Sequence, residues 1–316
     1  MMKNKNASMI AVLCSYLCAK DCRPFEPSEW TRIADALRKA DRAPDDIPDM
    51  SDDDMKQYLG FGESEIERVK RLLDRSAAIA FKLADLSSSG IKVVTRADDG
   101  YPKALKKKLR GACPPLFYCS GDLSLLRKNA VGYVGSRSVN DSDMEFTKKT
   151  VAKTVAHGYG AVSGGARGTD STACAAALEN GSFCIEFVAD SLERRIRKRE
   201  VINAIQEKRL LLISLAVPDA GFNVGMAMTR NKFIYAQSKA AVVVKSDYNK
   251  GGTWSGACEA LKKKLCTVFC RDCRSYAGNT ELIKLGAVPI DDTWDGDVGV
   301  FSDDSRFGEQ LTFFTD

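Results

Sequence analysis

Eight short apolar runs, many of them β-branched, alternate with helix-length segments and predict an α/β fold built on a mostly parallel sheet. The runs are continuously apolar, as strands covered on both faces should be. Glycine-rich loops directly follow two of them, which is where a doubly wound sheet offers its ligand edge. Together these observations predict a Rossmann-like, doubly wound domain over residues 89–296. A small helical N-terminal domain over 1–88 precedes it, and an acidic tail over 297–316 follows.

The helical part is read first. Lys3 and Lys5 precede an apolar run from Ala7 to Ala19, loosely like a signal peptide, but the run continues into KDCRPFEP without a small-residue cleavage site. A buried first helix is expected. Cys14, Cys18 and Cys22 fall four apart, one stripe of a helix, where free cysteine packs as a small hydrophobe. Ser28 can cap a helix through Trp30, Ile33, Ala34 and Leu37. Ser51, followed by Asp52, Asp53 and Asp54, opens another that stops near Gly60, with its carboxylates on the positive helix end. A longer helix is expected from about Ser64 through Ile66, Val69, Leu72 and Ile79 to Leu83.

From Gly90 the period changes. IKVVT (91–95), LFYC (116–119), VGYV (131–134), GAVSG (160–164), CIEFVA (184–189), LLLIS, AAVVV (240–244) and TVFC (267–270) read as strands. Segments 142–156, 169–180 and 253–264 read as helices between them. No stretch approaches the ~18–20 apolar residues that span a membrane.

Eleven cysteines, an odd number without a disulfide-like framework, point to reduced thiols and a cytoplasmic protein. Cys266, Cys270 and Cys273 lack a second ligand pair, so no metal and no cofactor is expected. The net charge of +5 is unevenly spread: residues 103–232 hold 21 Lys/Arg against 12 Asp/Glu, a local net of +9. A basic middle flanked by acidic ends implies one anionic ligand surface. The lysine runs 106–108 and 262–264 read as solvated faces, the first able to extend the anion-binding track.

Three loops carry the candidate chemistry. In VGSR, Gly135 permits a sharp turn, Ser136 offers a hydroxyl and an amide, and Arg137 can pair with a phosphate. In SGGARGTD, Gly164, Gly165 and Gly168 let backbone amides point outward around Arg167, and Asp170 can cap the next helix. In GGTWSGA, Gly251, Gly252 and Thr253 open a helix, with Trp254 a core or interface residue. Arg230, Asn231 and Lys232 add a basic helical segment. The cations Arg137, Arg167, Arg230 and Lys232 are expected to neutralise phosphates, with the amides of Gly135, Gly164, Gly165 and Gly252 completing the cradle. His157 is the single histidine, so no Ser–His–Asp or Cys–His order can be assembled. Asp141, Asp143, Asp170 and Asp190 each have a simpler role than holding magnesium, and the expectation is no catalysis on the bound ligand.

YPKAL (101–105), PPLFYCSGD (114–122), VGYVGSR, SGGARGTD, RNKFIYAQS (230–238), GGTWSGA and LIKLGA (282–287), in that order, resemble the DNA-processing protein A family, DprA or Smf. The resemblance implies an extended Rossmann-like fold, usually a homodimer, that binds single-stranded DNA and helps load RecA during transformation. Departures include Cys174 where the family has histidine and Lys232 where it has arginine, and no C-terminal winged helix fits after Ile290. The alternative is a sensor of a nucleotide-derived signal in a stress or antiphage pathway, using the same loops.

Overall fold

A computed structural model of the chain describes residues 4–19 and 21–299. All but the first three residues of the acidic 297–316 segment therefore lie outside the described residues. The chain divides into two compact units, one formed by Met1–Ser120, Asp190–Lys198 and Ile213–Gly221, the other by Gly121–Ala189, Arg199–Leu212 and Phe222–Asp316.

The first unit opens with α1 (Lys5–Cys14), whose Asn4 side chain caps the Ala7 amide and whose Ile10, Ala11 and Leu13 are buried. Helix α2 (Pro27–Lys39) starts with proline in its first turn and is capped at Glu26, not at the expected Ser28, which lies inside it; it buries Trp30, Ile33 and Leu37 of the predicted stripe. Helix α3 (Asp52–Leu59) is capped by Ser51, whose hydroxyl accepts from the Asp54 amide at 3.1 Å, and closes on Gly60 in the left-handed region.

Two further expectations fail here. The single helix expected over 64–83 is two, α4 (Glu63–Leu73) and α5 (Ser76–Ser88). The break falls at Arg75, whose guanidinium donates to the carbonyls of Val12 (2.5 Å), Ser15 (2.8 Å) and Leu17 (3.0 Å). It thereby serves carbonyls at and just beyond the end of α1. The cysteine stripe also fails, because α1 ends at Cys14 and Cys18 has φ of +55° outside any helix. Cys14 is buried and Cys18 exposed. Strand β1 (Lys92–Thr95), helix α6 (Lys103–Leu109) and strand β2 (Leu116–Gly121) follow, with β1 antiparallel to β2 and Lys92 opposite Cys119.

The second unit is the parallel layer. It contains β3 (Ala130–Val134), α7 (Asp141–Ala156), β4 (Gly160–Ser163), α8 (Thr169–Glu179) and β5 (Cys184–Val188). After α9 (Leu192–Arg195), which belongs to the first unit, come α10 (Arg199–Gln206), β6 (Leu210–Ser214), α11 (Val224–Gln237) and β7 (Ala240–Val243). Helix α12 (Gly251–Lys262), β8 (Thr267–Arg271), α13 (Ala277–Lys284) and β9 (Val288–Ile290) complete it. Strand order here is β6-β5-β4-β3-β7-β8-β9, and the pairs β5–β4, β4–β3, β3–β7, β7–β8 and β8–β9 are all parallel. Every residue of β3, β4, β5 and β7 is buried, as the continuous apolar runs require. Strand β9, absent from the expected eight, is a three-residue VPI whose proline is tolerated at an edge. Among the described residues no helix is long and apolar enough to cross a membrane.

Candidate nucleic-acid interface

The strand order reverses at β3. From β3 the chain steps to β4 and β5 on one side, whereas β7 leads to β8 and β9 on the other. The carboxyl ends of β3 and β7 therefore flank a topological switch point, the place where open α/β sheets bind ligands. A cavity of about 370 Å³ lies there, lined by the loop after β3, Ala166 after β4, Asp170 in the first turn of α8, the loop after β7, α11 and the start of α12. Of the predicted residues, Gly135, Ser136, Arg137, Arg230, Asn231, Gly251, Gly252 and Thr253 line it. Gly164, Gly165, Arg167, Gly168 and Lys232 do not. Arg167 is exposed on the loop after β4, and Lys232 lies 5.4 Å over the Phe233 ring.

The loops are held by one another. The Ser136 amide donates to the Lys245 carbonyl at 3.0 Å, and the Lys245 ammonium returns to the Ser138 carbonyl at 2.9 Å. Asp143, fully buried in the capping box of α7, receives the Arg271 guanidinium at 2.8 Å, the Tyr276 hydroxyl at 2.5 Å and Lys245 at 3.5 Å. Burial alone would raise its carboxyl, but Tyr276, the Asn140 amide and Lys245 together hold it below the ordinary range. Asn279 is likewise buried, donating to Val244 and Arg271 carbonyls at 3.0 and 2.9 Å and accepting from the Ser246 amide at 2.8 Å. The cavity wall after β7 is thus pinned through groups that a linear reading does not single out.

Arg230 departs from its expected role. Its side chain is 6% exposed; it donates to the Phe187 carbonyl at 3.0 Å and lies 3.6 Å from Asp170. The guanidinium is therefore held by protein partners, although Arg230 also lines the cavity. Asp170 does not cap α8, whose N-cap is Gly168; its carboxylate accepts from the Ala166 amide at 3.3 Å. Burial pushes the Asp170 carboxyl up, with Arg230 opposing. The glycines follow the same logic. A Cβ at Gly164 would sit 1.1 Å from Arg230 Nη1, and one at Gly135 would sit 2.2 Å from Thr169 Oγ1. Both small residues are demanded by packing of the loops against α11 and α8. The buried spacing Ala227, Arg230, Ile234 is the sequence signal for this arginine, since it lies in the apolar stripe of α11.

Beside the two carboxylates of the lining, Asp170 and Asp247, what faces the cavity otherwise is mainly cationic and apolar. Arg137 is exposed and stacks 5.0 Å over Phe222, which is half exposed. Lys245 and Lys250 line it from the loop after β7, and Val224 and Met228 add exposed apolar surface. These residues were not expected. Lys245 and Lys250 stand in the loop directly after AAVVV, the same edge position that drew attention to VGSR. Asn231 reaches the Gly252 carbonyl at 3.0 Å, fixing the start of α12. Trp254 is half-buried and meets Tyr248 edge-on at 5.1 Å. His157 is the exposed C-cap residue of α7.

Among the described residues, the group with metal-ligand spacing is Cys174, Cys184 and Glu186, buried with ligand atoms within 4.8 Å of one another. It joins α8 to β5 and is separate from the cavity lining; Cys266, Cys270 and Cys273 form no such group.

A model of the DNA recombination-mediator protein A family matches residues 92–295. The chain belongs to this family. Among solved structures, DNA processing protein A of Streptococcus pneumoniae is 20% identical with a TM-score of 0.67, covering 92% of this chain and 95% of that one. DNA processing protein A of Helicobacter pylori, described for a unique single-stranded DNA binding mode, is 28% identical with a TM-score of 0.53, over 64% of this chain and 92% of that one. No curated protein matches at a significant level. The Rossmann-like fold expected from the strand pattern and the family suggested by the motif order are both met.

Proposed function

We propose that the switch-point cavity binds single-stranded DNA, gripping the backbone with little sequence preference. The observation that carries this is the lining itself: Arg137, Lys245 and Lys250 around a crevice whose rim exposes Phe222, Val224 and Met228. Cations take phosphates, and an aromatic ring offers a sequence-tolerant stacking platform for a base. Arg167 and Lys232 extend the basic surface outside the cavity, while the amides of Gly135, Gly251 and Gly252 sit where a phosphate can approach. Arg230 and Gly164 act at one remove, by holding the loop after β4 in place. The relative from Helicobacter pylori, described for single-stranded DNA binding, supports the same ligand here.

On this reading the protein works as a strand-protecting homodimer in the cytoplasm, handing the strand to a recombinase of the RecA type. The family description as a recombination mediator supports that assignment. It performs no catalysis on the strand: Asp143 is committed to Arg271, Tyr276 and Lys245, and Asp170 lies against Arg230.

The test is fluorescence anisotropy with labelled oligothymidylates of rising length. Affinity should climb over several nucleotides and fall steeply with salt. A mononucleotide or cyclic dinucleotide that binds as tightly as a twelve-mer would overturn the reading in favour of a small-signal sensor.

A further inference from the structure

The first unit holds a second cationic cavity that the proposed function does not use. It measures about 470 Å³, in the range that takes a nucleotide-sized ligand. Its floor is apolar, from Ile10, Trp30 and Leu37, and its walls carry Arg42, Arg96, Lys106 and Arg110. Arg38 also lines it but is paired with Asp35 at 2.6 Å, the one acidic lining residue. Among the described residues no carboxylate lies within ion-pair distance of the other four cations.

The arrangement concentrates charge without neutralising it. Arg96 donates to the Pro114 carbonyl at 3.2 Å, to Thr31 Oγ1 at 2.8 Å and to the Cys113 carbonyl. Those neutral acceptors satisfy its protons and fix its plane, yet they leave its positive charge in place. Lys106 is then drawn against it, its ammonium donating to the Arg96 carbonyl at 2.7 Å. Burial, and next the Arg96 charge, depress the Lys106 ammonium below the usual lysine range. Arg110 adds backbone strain: at the end of α6 it takes φ 47° and ψ −121°, a conformation that a side chain disfavours. Two like charges held together, beside an arginine strained at the same mouth, are the pattern of a site completed by an anion.

We propose that this cavity binds the phosphate groups of a nucleotide, with the sugar and base over the apolar floor. The shared chemistry is a phosphorylated nucleotide, whose source is either a free nucleoside polyphosphate or the phosphorylated 5′ end of a DNA strand.

Isothermal titration of the full chain with pyrophosphate, ATP, and a twelve-mer with or without a 5′ phosphate separates these. ATP should bind the native protein. The exposed pair Arg42→Gln/Arg110→Gln should weaken ATP by about tenfold or more, the loss of charge-assisted contacts. Arg137→Ala, in the other cavity, should leave ATP binding within about twofold. Pyrophosphate competing with ATP places the phosphates in the site. A twelve-mer that competes only when 5′-phosphorylated identifies a strand end as the source, and one that never competes identifies the free nucleotide. A thermal melt of the double variant matching the native one excludes misfolding; if it does not match, Arg42→Gln alone is used. No ATP binding at about 1 mM, binding indifferent to the Arg42 and Arg110 changes, or binding abolished by Arg137→Ala would overturn the proposal.

Discussion

Replacing Gly164 by alanine separates a packing role for the second glycine loop from a phosphate-cradling one. The added methyl would sit 1.1 Å from Arg230 Nη1 and 1.9 Å from Cζ, so the guanidinium must leave its place. It then forfeits the 3.0 Å bond to the Phe187 carbonyl and its approach to Asp170 at 3.6 Å. Both side chains are under 10% exposed, at 6% and 9%, so solvent cannot replace what is lost. A buried hydrogen bond from a charged donor contributes about 1.5–3 kcal/mol. Breaking a buried ion pair costs about 3–5 kcal/mol. The two terms share one guanidinium and so overlap rather than add, and the looser 3.6 Å separation argues for the lower end, so about 3 kcal/mol in total is expected. For a domain of this size that lowers the melting temperature by roughly 6–12 °C. Differential scanning fluorimetry of Gly164→Ala against the native chain measures it directly. An unchanged melt would refute the packing account and return Gly164 to the ligand.

Arg137→Ala should weaken single-stranded DNA binding for all sequences alike and reduce the salt slope by about 0.7, one phosphate's share; because Arg137 is exposed, the melt should barely move. Asn279→Ala leaves the Val244 and Arg271 carbonyls and the Ser246 amide without a buried partner. A loss of about 2–4 kcal/mol follows in chemical denaturation, with weaker DNA binding because the loop after β7 is loosened. Glu29 is bonded through both oxygens to Arg68, at 2.8 and 3.1 Å, and this bond, against the opposing cost of burial, lowers its carboxyl from 4.5 to about 2. A depressed carboxylate stabilises the fold above its unfolded pKa, so this contribution is complete above pH 4.5 and lost as pH falls through about 2. With Glu29 a quarter exposed, Glu29→Gln should cost about 1–3 kcal/mol at neutral pH and flatten that part of the acid limb in urea titrations.

The eight expected strands were legible because a strand buried on both faces must be apolar throughout, and β3, β4, β5 and β7 are buried along their whole length. Helix ends were legible where local chemistry sets them, as at Ser51, which starts α3, and Gly60, which closes it. What could not be read was anything decided by a distant partner. The α4–α5 break depends on Arg75 reaching carbonyls some sixty residues earlier. The glycines of the loops after β3 and β4 were read as ligand requirements, yet Gly135 and Gly164 make room for Thr169 and Arg230. The loop after β7 was passed over because Lys245, Asp247 and Lys250 carry no glycine signature before Gly251. Its place at the switch point follows only from strand order, which no local pattern encodes.

Hydrogen exchange of the full chain, with and without a saturating twelve-mer of thymidylate, addresses the central claim most directly because it reports position as well as binding. The account predicts protection in residues 134–140, 222–232 and 245–253, the three segments that wall the switch-point cavity. Protection absent from those segments, or confined to the first unit around residues 30–44 and 96–113, would contradict it.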